Sequence, residues 1–181
     1  MSNQTAEDQF FAAQVQEHAE TRRDVIYDHW EEAKRLCESP IELRLLAALM
    51  NAPEVLEGST YASIGPVADV GRVQRHGVQI IPQHTVGRYR IDLAVIWWRS
   101  SVGQIQLAVE CDGHDFHEKT KEQARRDKAR DRELLTAGWP VMRFTGSEIF
   151  ADAPRCASDV GNALFETWVA RMQMLLAGRK L

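Results

Sequence analysis

Three carboxylates and a histidine fall within one short part of the chain. Asp92 lies eighteen positions before Glu110, which begins the run Glu110-Cys111-Asp112-Gly113, and His117 follows shortly after. Buried like charges are costly unless something neutralises them, and Mg²⁺ takes hard oxygen ligands. The cluster therefore predicts a bound divalent cation and metal-assisted hydrolysis.

Two alternating segments around a turn predict a β-hairpin that carries these acids. The first has Arg88, Arg90 and Asp92 on one face, and Tyr89, Ile91, Leu93 and Val95 on the other. The second has Gln106, Ala108, Glu110 and Asp112 on one face, and Ile105, Leu107, Val109 and Cys111 on the other.

A turn centred on Ser101 would place Asp92 opposite Glu110, because each lies nine residues from it. Directly opposed Cβ atoms are about 5 Å apart, and two carboxylates there repel by roughly 3 kcal/mol at an effective dielectric near 20. A cation between them would offset this repulsion. The alternative is that Asp92 faces solvent from an edge strand and that Glu110 forms a structural ion pair with Arg88 or Arg90 on the same face.

The remaining pattern predicts helices on both sides of the hairpin. Ser39 and Pro40 are typical of a helix start, with Glu42 in the first turn, where the helix dipole favours an acid. Further elements are a strand over 78–82, a helix from about 118 to 137, a strand over 139–144, and helices over 6–36 and 154–177. Residues 52–77 lack clear periodicity and are predicted to hold a short turn or a substrate-facing loop. This order indicates an α/β fold.

Composition limits the class of protein. The chain has 181 residues, 44% of them hydrophobic and 27% charged, with a net charge of −4, which is normal for a globular domain and gives no global attraction to nucleic acid. No segment approaches the ~20 apolar residues of a membrane span, and the polar start is unlike a secretory signal. The three cysteines form no CxxC motif. We expect a cytoplasmic protein.

Basic residues are concentrated between positions 119 and 132, and Arg125, Arg126 and Lys128 are candidates for phosphate contacts. The interspersed acids equally fit a solvated helix with ion pairs between neighbouring turns. Arg130 is expected to pair with an acid such as Asp127. Arg143 could reach the site or a phosphate.

Six blocks in order resemble the PD-(D/E)XK, or restriction-endonuclease-like, superfamily over residues 39–150. The blocks are Ser39-Pro40-Ile41-Glu42, Pro82-Gln83, Tyr89-Arg90-Ile91-Asp92, Val109-Glu110-Cys111-Asp112-Gly113 with His117, Asp127-Lys128-Ala129-Arg130-Asp131, and Gly138-Trp139 with Val141-Met142-Arg143-Phe144-Thr145. They look like the branch related to very-short-patch-repair (Vsr) mismatch endonucleases.

The resemblance implies an αβββαβ core with a mixed sheet flanked by helices. It divides the chain into an N-terminal helical extension (1–38), the core (39–150) and a C-terminal helix packed on the core (151–181). It further implies Mg²⁺, replaceable by Mn²⁺, and a catalytic set carried by Glu42, Asp92, Glu110, Asp112 and His117. The metal ligands would be Asp92, Glu110, Glu42 and the main-chain carbonyl of Cys111; the Cys111 thiol is expected in the core.

Two departures from the family pattern stand out. Asp112 occupies the place of the usual lysine in E-x-K, which gives an E-x-D-G form and leaves the general base unassigned. The zinc-binding residues of true Vsr enzymes are not evident, so mismatch recognition is not implied.

The function predicted from these residues is a metal-dependent DNA endonuclease or nickase acting in repair, restriction or defence against mobile DNA. Two alternatives remain open: a non-catalytic nucleic-acid-binding module of the same fold, and a nuclease or toxin that acts on RNA. A homodimer through the terminal helices would suit cleavage of both strands.

Overall fold

The computed structural model describes residues 34–56, 59, 61–65, 77–99, 102–113 and 121–178. The predicted helix over 6–36 lies almost wholly outside these ranges, as does His117. The elements are α1 (Pro40–Asn51), α2 (Pro53–Leu56), β1 (Tyr61–Ile64), β2 (Gly77–Val86), β3 (Tyr89–Arg99), β4 (Gly103–Asp112), α3 (Lys121–Thr136), β5 (Val141–Thr145) and α4 (Gly146–Leu176).

The five strands described form one mixed sheet in the order β1-β2-β3-β4-β5. Strands β2, β3 and β4 are antiparallel neighbours, whereas β1 and β5 each run parallel to their neighbour. The predicted α/β class with a mixed sheet flanked by helices is confirmed. The crossover helix α3 joins β4 to the parallel strand β5, as parallel neighbours require.

Two hydrophobic cores lie against the sheet. The first core packs α1 and α4 on one face and includes Leu45, Leu46, Leu49, Val78, Ile80, Leu93, Val95, Val109, Ile149, Val160 and Leu164. The second core lies beneath α3 and comprises Ile81, Ile91, Ala94, Ile96, Ala108, Leu134 and Trp139. The hairpin strands are thus covered on both sides, which explains their nearly continuous apolar sequences.

The predicted hairpin register is confirmed for the rungs that the structure pairs. Pairing of β3 with β4 runs from Arg99–Gly103 to Leu93–Val109, which is the register expected from a turn centred on Ser101. Asp92 and Glu110 are the next positions along the two strands.

The prediction that Ile91 shares a face with Leu93 is wrong. Ile91 packs in the second core and Leu93 in the first, so β3 changes faces at Asp92. Strand β2 does the same, because Ile80 packs in the first core while the ring of His84 contacts Trp139 of the second core. The change coincides with a break in the hydrogen-bonded ladder of β2 and β3 between the pairs Pro82–Leu93 and His84–Ile91.

The prediction of a loop over 52–77 is wrong for two short segments, α2 and β1. Strand β1 has four residues, too few to display periodicity, and it exists through parallel pairing with β2. Helix α2 packs on α4 at Gly161, where an added Cβ would lie 2.5 Å from the Cβ of Glu54.

Helix α4 begins eight residues before the predicted start at Pro154. Thr145 and Glu148 form a capping box at its start. The backbone leaves helical geometry at Asp152, whose carboxylate accepts a hydrogen bond of 3.0 Å from Arg155 N. The predicted start is therefore the start of the segment beyond this kink. In the described part of the chain, no helix combines the length and apolar character needed to cross a bilayer.

Candidate active site

Glu42 is fixed at the start of α1 and held against strand β2. It is 5% exposed, and its carboxylate accepts hydrogen bonds from Ser39 Oγ (2.7 Å), Glu38 N (2.9 Å) and Gln83 Nε2 (2.7 Å). Ser39 Oγ accepts in turn from Glu42 N at 3.3 Å, as in a capping box. Glu42 thus has a structural role at the helix start, and it also places a negative charge near Asp92.

Asp92 lies where β3 separates from β4. Its Oδ2 accepts a hydrogen bond of 2.7 Å from Cys111 N, so a side chain takes the place of a strand partner there. Burial raises the pKa of the Asp92 carboxyl, and the charges of Glu42 and Asp112 raise it further. The hydrogen bond from Cys111 and the charge of Arg130 oppose that rise. The ionised carboxylate is therefore held in an unfavourable environment.

Glu110 faces helix α3 and pairs with Arg130. The distance between Arg130 Nη2 and Glu110 Oε1 is 2.6 Å, and the two side chains are 21% and 9% exposed. Arg130 also donates to the main-chain oxygen of Arg90 at 2.8 Å. Burial raises the pKa of Glu110 and the charge of Asp92 adds to the rise, while the hydrogen bond and charge of Arg130 lower it.

The alternative prediction, an ion pair of Glu110 with Arg88 or Arg90, is wrong about the partner. Arg88 pairs with Glu133 and Arg90 with Glu38, whereas Glu110 pairs with Arg130 on α3. The expectation that Arg130 pairs with an acid is confirmed with Glu110. The charge of Asp92 raises the pKa of Glu110, and the charge of Glu42 raises the pKa of Asp92, so the structure brings together the two central acids, with Glu42 beside Asp92.

Gln83 belongs to the same site, although no role was predicted for it. Its φ is +53°, a left-handed conformation that costs a non-glycine residue on the order of 1 kcal/mol. Pairing of β2 with β3 stops at Pro82–Leu93 and resumes at His84–Ile91, which leaves the rung of Gln83 and Asp92 outside the ladder. Its Oε1 is buried without a hydrogen-bond partner among the described residues. In the sequence, the position of Gln83 is marked by the Pro82-Gln83 block of the family resemblance.

Cys111 and Asp112 follow Glu110 on β4. The Cys111 thiol packs against the first core, as predicted, and burial raises its pKa. Cys37 packs against the same core, and burial together with the charges of Glu42 and Asp92 raises its pKa to about 12. These thiols are poor nucleophiles at neutral pH because they remain protonated. Asp112 is half-buried and contributes negative charge near Asp92.

The basic residues predicted to contact nucleic acid occupy two settings. Arg125, Arg126 and Lys128 are exposed on α3. Arg143, whose backbone is paired with Glu110, forms a two-bond ion pair with Asp131, and its Nη1 lies 2.8 Å from Asp131 Oδ2. That hydrogen bond raises the pKa of Arg143.

The donor chemistry of the site suits a hard divalent cation. Burial disfavours the anions of Asp92 and Glu110, the charge of Asp92 further disfavours the anion of Glu110, and a buried amide oxygen, Gln83 Oε1, has no hydrogen-bond partner among the described residues. A cation would compensate all three. In their present positions, however, no three histidine, cysteine, aspartate or glutamate side chains of the described residues form a group arranged to hold a metal ion.

The fold and the acids at the strand separation define a restriction-endonuclease-like protein. A family model, REase_MTES_1575, matches residues 69–164, which is just over half of the chain. The chain therefore belongs to the REase_MTES_1575 family of restriction endonucleases. The matched segment contains Gln83, Asp92 and Glu110, and it begins beyond Glu42. No curated protein and no solved structure gave a significant match.

Proposed function

We propose that the protein is a metal-dependent endonuclease that hydrolyses phosphodiester bonds of DNA. The observation that carries the proposal is the pair Asp92 and Glu110, two partly or fully buried carboxylates at the point where β3 and β4 separate. Membership of a restriction endonuclease family supports the nuclease class and favours a role in restriction or defence, with repair as the alternative.

Asp92 and Glu110 would hold the divalent ion, Mg²⁺ with Mn²⁺ as a substitute. Glu42 would contribute directly or through water, and the main-chain oxygen of Cys111 would complete the set. When bound, such an ion acidifies a water molecule and stabilises charge on the scissile phosphate. His117 would protonate the leaving oxygen or orient the water, because its ordinary pKa is near 6.5. Asp112 would orient His117.

Arg130 gives this site a cationic group near Glu110 despite the missing lysine of E-x-K. In the absence of metal it neutralises Glu110. In a non-catalytic protein of this fold, the ion pair of Arg130 with Glu110 would serve stability alone. A nucleic-acid-binding module without catalysis is therefore the second candidate function.

Substrate class is tested with supercoiled plasmid, single-stranded DNA and RNA of matched sequence, each with Mg²⁺, Mn²⁺ or EDTA. We expect cleavage of DNA with either metal and none with EDTA. Cleavage of RNA alone would replace the DNA assignment, and cleavage of nothing would favour the binding module. Linear plasmid would support a homodimer through the terminal helices, and open circle alone would indicate nicking.

The exposed face of α3 is proposed to contact phosphates. Replacing Arg125, Arg126 and Lys128 together with alanine should weaken DNA binding and reduce the slope of log K against log salt by up to about 3, because each phosphate contact contributes about 0.9. Arg155→Ala, an exposed change on α4, is the matched control and should leave the slope unchanged. Fluorescence anisotropy in EDTA at several salt concentrations measures both. An unchanged slope in the triple variant would place the DNA elsewhere.

A further inference from the structure

Gln83 is the one non-glycine residue with a positive φ in the part of the chain that the structure describes. A left-handed residue within a strand breaks the ladder and leaves a rung unpaired, which a regular strand would avoid. Residues held in such conformations concentrate at functional sites, because the strain serves positioning. Here the left-handed conformation reverses the faces of β2, and Gln83 lies opposite Asp92 and beside Glu42.

Of the two polar atoms of the Gln83 amide, Nε2 has a hydrogen-bond partner and Oε1 has none among the described residues. Nε2 donates to Glu42 Oε2 at 2.7 Å, and since a carboxylate only accepts, this contact fixes which amide atom is the oxygen. That oxygen, Oε1, is buried and has no hydrogen-bond partner among the described residues. A buried acceptor without a partner is costly, so a group that the protein alone does not supply is expected there.

We propose that Gln83 is an additional oxygen ligand of the divalent cation, contributed through Oε1 while its Nε2 holds Glu42. This inference rests on the proposed metal site. An amide oxygen suits that position because it binds a hard cation without adding charge to an anionic site. A glutamate at position 83 would face Glu42 and repel it.

The test is calorimetric titration of the DNA-free, full-length protein with Mn²⁺, in wild type and in variants. Gln83→Leu should weaken Mn²⁺ binding at least about tenfold, a typical effect of losing a group that supports a metal. Gln83→Glu keeps an oxygen and should bind Mn²⁺ as tightly as wild type or more tightly, although repulsion from Glu42 should lower its metal-free Tm.

Gln83→Gly separates the strain from the ligand. Glycine adopts the left-handed conformation without strain, which should offset part of the stability lost with the contact to Glu42, so this variant should have a higher metal-free Tm than Gln83→Leu and still show the tenfold loss of Mn²⁺ affinity. It also keeps the test decisive if Gln83→Leu does not fold. Gln79→Leu, on the same strand, removes an amide that donates to Gly65 O at 2.9 Å, and it should leave Mn²⁺ affinity unchanged.

The outcomes distinguish this inference from the metal site itself. Asp92→Asn should lose Mn²⁺ binding; if wild type does not bind, or Asp92→Asn binds equally, both the metal site and the role of Gln83 are rejected. If Asp92→Asn loses binding but Gln83→Leu and Gln83→Gly match wild type, only the role of Gln83 is rejected. Equal weakening by Gln83→Leu and Gln83→Glu would assign the effect to the lost contact with Glu42 and overturn the ligand role.

Discussion

Asp92→Asn is expected to abolish cleavage and, at neutral pH, to stabilise the fold. Loss of a central metal ligand removes several kcal/mol of transition-state stabilisation, which corresponds to a rate at least about a thousandfold lower. Asparagine still offers an oxygen to the amide of Cys111, 2.7 Å away in the wild type, so the strand contact survives. It also removes an anion that burial and neighbouring acids disfavour.

The stability gain should depend on pH with a definite sign. The pKa of Asp92 in the folded protein is raised above its ordinary value. Wild type therefore loses stability as pH rises from the ordinary range through the raised pKa, and the variant does not. The variant should match wild type near pH 3 to 4 and exceed it by roughly 0.5 to 1 kcal/mol at pH 7 to 8, the size of gain seen when a functional constraint is relieved.

Urea unfolding of the metal-free proteins at several pH values measures the difference. Asp159→Asn, an exposed change on α4, is the matched control and should alter the free energy of unfolding by less than about 0.5 kcal/mol at each pH. A variant less stable than wild type at pH 7 would mean that the Asp92 charge stabilises the fold, and the site would then be structural.

Arg130→Ala is expected to cause the largest loss of stability among the site variants. It leaves the Glu110 carboxylate, 9% exposed, without its ion-pair partner. Breaking such a pair costs about 3 to 5 kcal/mol when both groups are fully buried, and we expect about 2 to 3 kcal/mol because Arg130 is 21% exposed.

The loss of stability in Arg130→Ala should increase as the pH rises, and it should decrease when a divalent metal ion is added. Without Arg130 the pKa of Glu110 rises further, so the penalty is small while Glu110 is protonated near pH 4 and full near pH 8. Mg²⁺ should restore part of the stability at pH 8, provided Asp92 is present. Arg132→Ala, exposed on the same helix, is the control for urea unfolding. A loss equal at both pH values would show that Arg130 acts by packing rather than by charge.

The parts of the fold that follow local periodicity could be predicted from the sequence. The hairpin register follows from the turn at Ser101 and from alternation, and the structure pairs Leu93 with Val109 accordingly. The start of α1 follows from Ser39 and Pro40, since a side-chain cap and a proline act within one turn. The acids Asp92 and Glu110 were recognised because two carboxylates on neighbouring strand positions need a physical reason.

Features that depend on contacts between residues far apart in the sequence were not predicted. Periodicity assumes a regular strand, so it cannot show that Gln83 and Asp92 reverse the faces of β2 and β3. The pairing of Arg130 with Glu110 depends on how α3 packs across the sheet. Strand β1 exists only through its pairing with β2, which the four residues themselves do not encode.

The most direct test of the central claim is plasmid cleavage by wild type beside Asp92→Ala and Glu110→Ala, with Mg²⁺ or with EDTA. We predict that wild type converts supercoiled plasmid to open-circle or linear DNA only with Mg²⁺, and that both variants, shown to be folded by circular dichroism, fail to do so. Cleavage by either folded variant at the wild-type rate, or by wild type in EDTA, would contradict a metal-dependent nuclease site at these two acids.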